Sequence, residues 1–388
     1  MLKDNSLISL PNLLSGSAVF ENMRNESNNR DKINWQNLYS FSVQQNIAAI
    51  VWDNIQQSLA EGLISAEQQP IKAQKIQWAM AVEQIEKKYA RQKLVIVRLA
   101  NFFEQHNIKL MILKGYGLSL NYPVPNHRPC SDVDIWLFEE HKTADGGIKR
   151  CSAQQRADAL LREHLNIAID EEKHHHTVFY VDGVMVENHY DFLNIHAHLS
   201  NRIIEQRLQQ LTAQPMEQIT IEDGDNKALV YLPSPDFHAL FMLRHSASHF
   251  AAERIVIRHL LDWRYFVEKY AEQIDWSSLS QIAVQTNMHQ FLYCLNAICI
   301  DKLGLPQHCV PEFKRNPQLE GRVWNEILQP EFCEPQPKNA GYLKSWHYMF
   351  RRWWANRWKH RIVYNESLAM TFFVQLWSHL LKPKSLKL

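Results

Sequence analysis

Glycine is scarce in this 388-residue chain, at 11 residues, and the shortage argues against the glycine-rich loops on which dinucleotide-binding and P-loop folds depend. Paired cysteines are missing too. Cys130, Cys151, Cys294, Cys299, Cys309 and Cys333 lie far apart with no CxxC spacing, so neither a zinc site nor a disulfide framework is indicated, and a reducing, cytoplasmic setting fits. Net charge is almost absent, at a formal +1, which argues against a dedicated nucleic-acid binder but leaves room for a local basic patch. The opening MLKDNSLISLPNLL lacks the sustained apolar core of a signal peptide. A transmembrane segment is not expected either: residues 276–300 carry no Asp, Glu, Lys or Arg, yet Ser, Gln, Thr and Asn interrupt them throughout, which describes a buried helix pair.

What is present is a large apolar fraction, 46%, against 21% charged residues, enough for a sizeable core. The length suits two domains, or one domain with a substantial helical addition. Helical spacing dominates residues 35–107, and "IKLMILKG" then reads as a short strand closed by glycine. "YGLSLNYP" predicts about two helical turns stopped by Pro123; "SDVDIWLF" predicts a second strand and "RADALLREHL" an amphipathic helix. "TVFYVDGVMVENHYDF" places Asp182-Gly183 between two β-rich runs, the composition of a two-residue type I′ hairpin. From about 234 the chain is helical again, with Ser234-Pro235 as a helix start and Gly304 as a helix stop. The expected class is α+β: a helical N-terminal arm over 1–107, a small mixed-sheet core over 108–232, and a helical C-terminal domain with a basic aromatic tail over 233–388.

The chemistry concentrates at Asp132 and Asp134. Side chains two apart on a strand share a face, so both carboxylates would project together while Val133 and Ile135 point inward. Side by side they repel and raise each other's pKa unless a cation lies between them. A hard divalent ion resolves the conflict: Mg²⁺, or alternatively Mn²⁺, completing its shell with water and nucleotide phosphates. A bare DxD is more often a pair of solvated carboxylates, and here the surroundings shift the balance. Lys114-Gly115 ends one strand and opens a helix, offering an ammonium and free backbone N–H groups to a phosphate. Arg128 is a second candidate phosphate partner. Glu187, in the strand after the hairpin, would share a face with Met185 and His189 and complete a site for one or two metals, with Asp191 as the fallback acid.

"LKGYGLSLNYPVPNHRPCSDVDIWLF" resembles the signature of the uncharacterised nucleotidyltransferase family of the DNA polymerase beta-like superfamily. "VENHYDF" stands where that family tends to have Glu-Leu-His-Trp, so Asn188 and Tyr190 are departures; Lys114-Gly115 likewise replaces the superfamily's usual Gly-Ser. The stretch carrying His245, His249, Arg254 and Asp262 is similar to the family's C-terminal helical part, as "INWQNLYSFSVQQNIAAIVWDNI" is to its opening. The resemblance implies metal-ligand and catalytic roles for Asp132, Asp134 and Glu187, and phosphate-binding roles for Lys114, Gly115 and Arg128. It also implies transfer of a nucleoside monophosphate from an NTP such as ATP to an unknown hydroxyl acceptor. Two other classes stand beside it: a non-catalytic nucleotide sensor or scaffold, and a toxin-like enzyme that modifies RNA.

Three features lie outside this scheme. His174, His175 and His176 are consecutive, cannot all point one way along a strand, and read as an exposed loop. His245 and His249, at i and i+4, read as cleft-lining or core histidines, since no Glu stands between them as in a zincin. The tail places Trp346, Met349, Phe350, Trp353 and Trp354 on one helical face with Arg352 and Lys359 opposite, and seven Lys or Arg but no acid occur from Lys338 to Arg361. Residues 338–388 would cover the protein's own apolar face, lie peripherally on an anionic membrane, or contact RNA.

Overall fold

A computed structural model describes residues 33–144, 146–335, 337 and 342–371. Two helices, α1 (Trp35–Gln44) and α2 (Ala48–Ala60), precede a 33-residue helix, α3 (Lys72–Glu104). At 1.5 Å per residue α3 is about 50 Å long. Its first half buries Trp78 and Val82 among the helices, and its second half buries Val95, Ile96, Leu99 and Phe103 under a sheet.

The sheet begins with β1 (Lys109–Ile112), followed by one helical turn, α4 (Tyr116–Ser119), and by β2 (Val133–Lys142), β3 (Ile148–Ser152) and α5 (Gln154–Leu165). The hairpin β4 (His176–Val181) and β5 (Val184–His189) comes next, then α6 (Leu199–Leu211) and a second hairpin, β6 (Glu217–Asp223) and β7 (Asn226–Leu232). Strand order is β4-β5-β2-β1-β7-β6, with β3 paired to the far half of β2. The sheet is mixed: β2 runs parallel to β5 and β1 parallel to β7.

The expected α+β class is therefore observed. Asp182 and Gly183 both have positive φ, 49° and 76°, as a type I′ turn requires. Two short-range expectations need correction. α4 spans four residues and not two full turns, and Asp132 lies just outside β2. The second hairpin escaped the sequence reading because β6 is an exposed edge strand with one buried residue, Ile221, so it has no clear apolar alternation.

Strand β2 reads as a continuous apolar run because both its faces are covered. Val133, Ile135 and Leu137 join Val186, Phe179, Ala157 and Leu161 on one side. Trp136 and Phe138, stacked at 4.8 Å, join the helical core on the other. That core is built by α7 (Pro235–Ala252), α8 (Ile257–Tyr270), α9 (Trp276–Gln285), α10 (His289–Leu303) and α11 (Pro317–Leu328), together with α1 and α2. Ser234 caps α7 by accepting from the Phe237 N–H, and Gly304 closes α10 with φ 71°. The uncharged stretch forms α9 and α10, the helix pair expected. No described helix is long and apolar enough to cross a membrane.

The tail forms α12 (Tyr342–Ala355) and α13 (Arg357–His360). Phe350 and Trp354 are exposed, while the side chain of Trp346 and residues 338–341 and 372–388 lie outside the described part. Lys359 is not on an open basic face. Its side chain is 1% exposed and ion-paired with the equally buried Glu326 at 2.5 Å. Breaking one side of such a pair strands the other charge: Lys359→Met is expected to lower stability by about 3–5 kcal/mol in denaturant unfolding. Lys359→Met combined with Glu326→Leu should recover most of that loss.

Candidate functional site

The site face of the sheet follows from strand register. Asp134 on β2 is directly opposite Glu187 on β5, and His189 at the end of β5 is opposite His176 at the start of β4. All four point to the face that also carries Trp136, away from the core that holds Ile135 and Val186. The loop after β1 brings in Lys114, whose Nζ lies 3.0 Å from Asp134 Oδ1. His189 Nε2 lies 3.2 Å from the same oxygen and 3.7 Å from Glu187 Oε2, and His176 Nε2 lies 3.7 Å from Glu187 Oε1.

Charge in this network is set by mutual pairing. Burial disfavours the charged form of Lys114, but Asp134, Asp132 and Glu187 outweigh it and raise its pKa. Burial also opposes an imidazolium at His189, yet Asp134 and Glu187 push its pKa up to about 9. Glu187, penalised by burial, is held at about 2 by the hydrogen bond from His189 and by His176 and Lys114. His176 goes the other way, down to about 4, through burial and the charge of His189.

Asp134, Glu187 and His189 form one group able to hold a metal ion, each offering a donor atom within 4.8 Å of the others; His175, His176 and His189 form a second. Asp132 stands outside both groups. Its side chain accepts from the Ser131 hydroxyl at 2.6 Å, and it lines a cleft of about 170 Å³. The expected three-carboxylate set is thus divided: Asp134 and Glu187 come together with His189, and Asp132 stands at the cleft wall beside Lys114 and Gly115. Asp191 joins neither group; its backbone carbonyl contacts His189 Nδ1 at 3.2 Å.

Gly115 has φ 60°, and a Cβ there would stand 3.3 Å from the Asp132 carbonyl oxygen, so glycine lets the two loops touch. The loop carrying Asp132 is pinned from three sides. His127 bridges Asp53 of α2, at 2.7 Å, and Glu86 of α3, at 3.1 Å. Gln92 of α3 donates to the Asp132 carbonyl at 3.4 Å. Arg128 is bidentate to Asp262 of α8, at 2.7 and 2.8 Å, and Tyr122 donates to the same carboxylate at 2.6 Å. Arg128 also spends its remaining guanidinium nitrogen on Pro129 O and Cys130 Sγ. It lines the cleft, but it does so as one half of a buried ion pair.

The opposite wall comes from α7 and α8. His245 and His249 stand with ring centroids 4.4 Å apart, as cleft-lining histidines, and form no metal group among the described residues. Burial and the charge of Lys114 lower both pKa values. His259 and Arg258 line the same wall; neither was singled out in the sequence, where only the helical register of "RIVIRHLLDW" could have placed them one turn before Asp262. Arg254 is exposed between α7 and α8, outside the cleft. The histidine run is not an exposed loop either. His176 is 6% exposed, and the rings of His175 and His176 both meet His189, at 5.5 and 5.0 Å. Strand alternation does not separate them because His175 precedes β4.

A mixed sheet presenting buried carboxylates beside a lysine-glycine loop, closed by helices, defines a nucleotidyltransferase-type α+β protein. Residues 31–303 match the family described as uncharacterised nucleotidyltransferase, and the chain belongs to that family. Among solved structures it is similar to an antigenic nucleotidyltransferase-like protein from Paracoccidioides brasiliensis, at 19% identity over 45% of this chain and 74% of that one, with a TM-score of 0.29. No curated protein matches.

The Arg128–Asp262 pair gives a test of pinning against ligand binding. Despite burial, Arg128 and then Arg258 hold the Asp262 pKa at about 2. Its stabilisation, on the order of 2 kcal/mol, is present above the ordinary carboxylate pKa and is lost as pH falls towards 2. Arg128→Met should therefore be strongly destabilised at neutral pH, with the gap from the natural protein narrowing in acid, as urea titrations at several pH values would show.

Proposed function

We propose that the protein transfers a nucleoside monophosphate from a nucleoside triphosphate to a hydroxyl acceptor, releasing pyrophosphate, with the help of a divalent cation. One observation carries the reading: Asp134 and Glu187 are opposite one another on adjacent strands, and Lys114 runs from that pair to the wall of the cleft. The residues suit a cation, since Asp134 Oδ2 is buried without a partner beside Glu187 and His189.

In such a reaction the acceptor oxygen bonds to the α-phosphorus while the bond to the bridging oxygen breaks and its electron pair leaves with pyrophosphate. A bound Mg²⁺ or Mn²⁺ would supply charge neutralisation at the phosphate oxygens. Lys114 would hold non-bridging oxygens, and Gly115 would let the backbone approach them without a side chain in the way. Glu187, held ionised, would take the acceptor's proton. Arg128 is committed to Asp262, and Arg258, which also lines the cleft with its side chain 20% exposed, is the better placed of the two arginines to meet a phosphate. His245 and His249, kept neutral, offer ring nitrogens to hydroxyl or base groups.

A non-catalytic nucleotide sensor or scaffold is the second reading, favoured by the Lys114–Asp134 pair, which compensates the buried carboxylate without any ion. Calorimetry with the four nucleoside triphosphates and Mg²⁺ separates them. Mg²⁺-dependent binding of one nucleotide, abolished in Asp132→Asn with Asp134→Asn and weakened in Lys114→Ala, is the expected result. A natural protein that binds none of them at millimolar concentration would favour the scaffold.

A further inference from the structure

We infer that His175, His176 and His189, with Glu187 beside them, form a nitrogen-rich site for a first-row transition ion such as Mn²⁺, Co²⁺ or Zn²⁺, in preference to Mg²⁺. The inference deepens the proposed function by naming the class of cation at that site, and it rests on that reading only for the ion's role in transfer.

One nitrogen from each of the three imidazoles lies within 4.8 Å of the other two, and Glu187 stands beside them. Donors held about 2.0–2.2 Å from one ion in a tetrahedral array stand about 3.3–3.6 Å apart. The observed donor separations are 3.7 Å for His176 Nε2 to Glu187 Oε1, 3.7 Å for His189 Nε2 to Glu187 Oε2, and 3.2 Å for His189 Nε2 to Asp134 Oδ1. Glu187 thus lies between two imidazole nitrogens and presents one oxygen to each. His189 is oriented as a metal-bound histidine usually is: its other nitrogen, Nδ1, lies 3.2 Å from the Asp191 carbonyl and, protonated, donates to it, which directs Nε2 at the carboxylates; an ion bound at Nε2 would release to solvent the proton now shared with Asp134.

His176 supplies the independent observation. It is 6% exposed, and neither ring nitrogen has a hydrogen-bond partner. An ionic network of Lys114, Asp134, His189 and Glu187 accounts for the other groups and leaves His176 with an unpaired buried N–H, at a cost of about 1–3 kcal/mol. The Nδ1 of His175 is likewise buried and unpartnered, and it belongs to the same cluster. An ion at Nε2 of His176 removes one of these vacancies. Imidazole nitrogens select borderline metals, whereas Mg²⁺ takes oxygen donors almost exclusively.

The test uses the natural full-length protein titrated with Co²⁺, followed by visible absorption, and with Mn²⁺, followed by electron spin-echo spectroscopy for imidazole nitrogen coupling. Mg²⁺ serves as competitor. Expected are one tight equivalent with nitrogen coupling, weak competition by Mg²⁺, and a loss of affinity of at least about 100-fold in His176→Ala. His176→Asn, closer in shape and polarity, keeps the comparison valid if the alanine variant does not fold. Absence of Co²⁺ binding would overturn the inference, as would binding with oxygen donors only, as tight for Mg²⁺ and unchanged in either variant. Either of those results leaves the nucleotidyltransferase reading standing wherever Mg²⁺-dependent nucleotide binding persists; loss of that nucleotide binding alone would sink the function and leave the metal site intact.

Discussion

A carboxylate with no exposed surface must be compensated where it stands, and Asp134 imposes that requirement on the centre of the sheet. It sits in β2 between Val133 and Ile135, both core residues, so the strand cannot slip by one position without burying the charge among hydrocarbon. Compensation comes from the loop after β1 through Lys114 and from β5 through His189. Those two contacts fix the relative height of three neighbouring strands. They also bring Glu187 opposite Asp134, because the parallel register of β2 and β5 leaves no other partner. The polar chemistry of the site and the register of the sheet are one constraint.

The helical part repeats the device. Asp262 on α8 is met by Arg128, Tyr122 and Arg258, so a loop of the sheet domain is locked onto a helix of the C-terminal part. Arg244 on α7, with no exposed surface, donates to Asn201 Oδ1 on α6 and to the Val363 carbonyl. Trp263 on α8 donates to Asn296 on α10 at 2.8 Å. Each of these three polar side chains ties a pair of elements distant in sequence. The cleft therefore lies between two surfaces held in fixed relation, one from the sheet loops and one from α7 and α8.

Legibility in the sequence followed the range of the interaction concerned. Asp182-Gly183, Ser234-Pro235 and Gly304 were readable because each acts within a few residues through φ or a cap. The alternation Val184, Val186 against Glu187, His189 was readable because strand period is local, and so was the apolar run of β2. What Arg128 does was not readable: a guanidinium in a loop looks the same whether it awaits a phosphate or is already bound to Asp262, which lies 134 residues away. The same holds for His175 and His176, whose common partner, His189, is supplied by the far strand of the hairpin. Asp132 and Asp134 looked equivalent as a motif, yet one step past the strand end gives Asp132 the cleft and Asp134 the interior.

The same range argument bears on the tail. Counted along the chain, the basic residues from Lys338 to Arg361 suggest a polycation. In space, Lys359 is buried on Glu326, Arg351 reaches Glu334 at 2.5 Å, Arg352 lies 3.6 Å from Glu253, and Arg357 stands over Trp354 with 4.8 Å to the ring centroid. An exposed pair contributes little to stability, but it does cancel the long-range field that an anionic membrane or an RNA backbone would sense. Among the described residues, α12 still shows Phe350 and Trp354 to solvent, Trp354 at 52% exposed, beside the exposed Lys344. Contact through this helix would combine apolar insertion or stacking with the charge of Lys344, and would respond to salt less than an uncompensated basic run would.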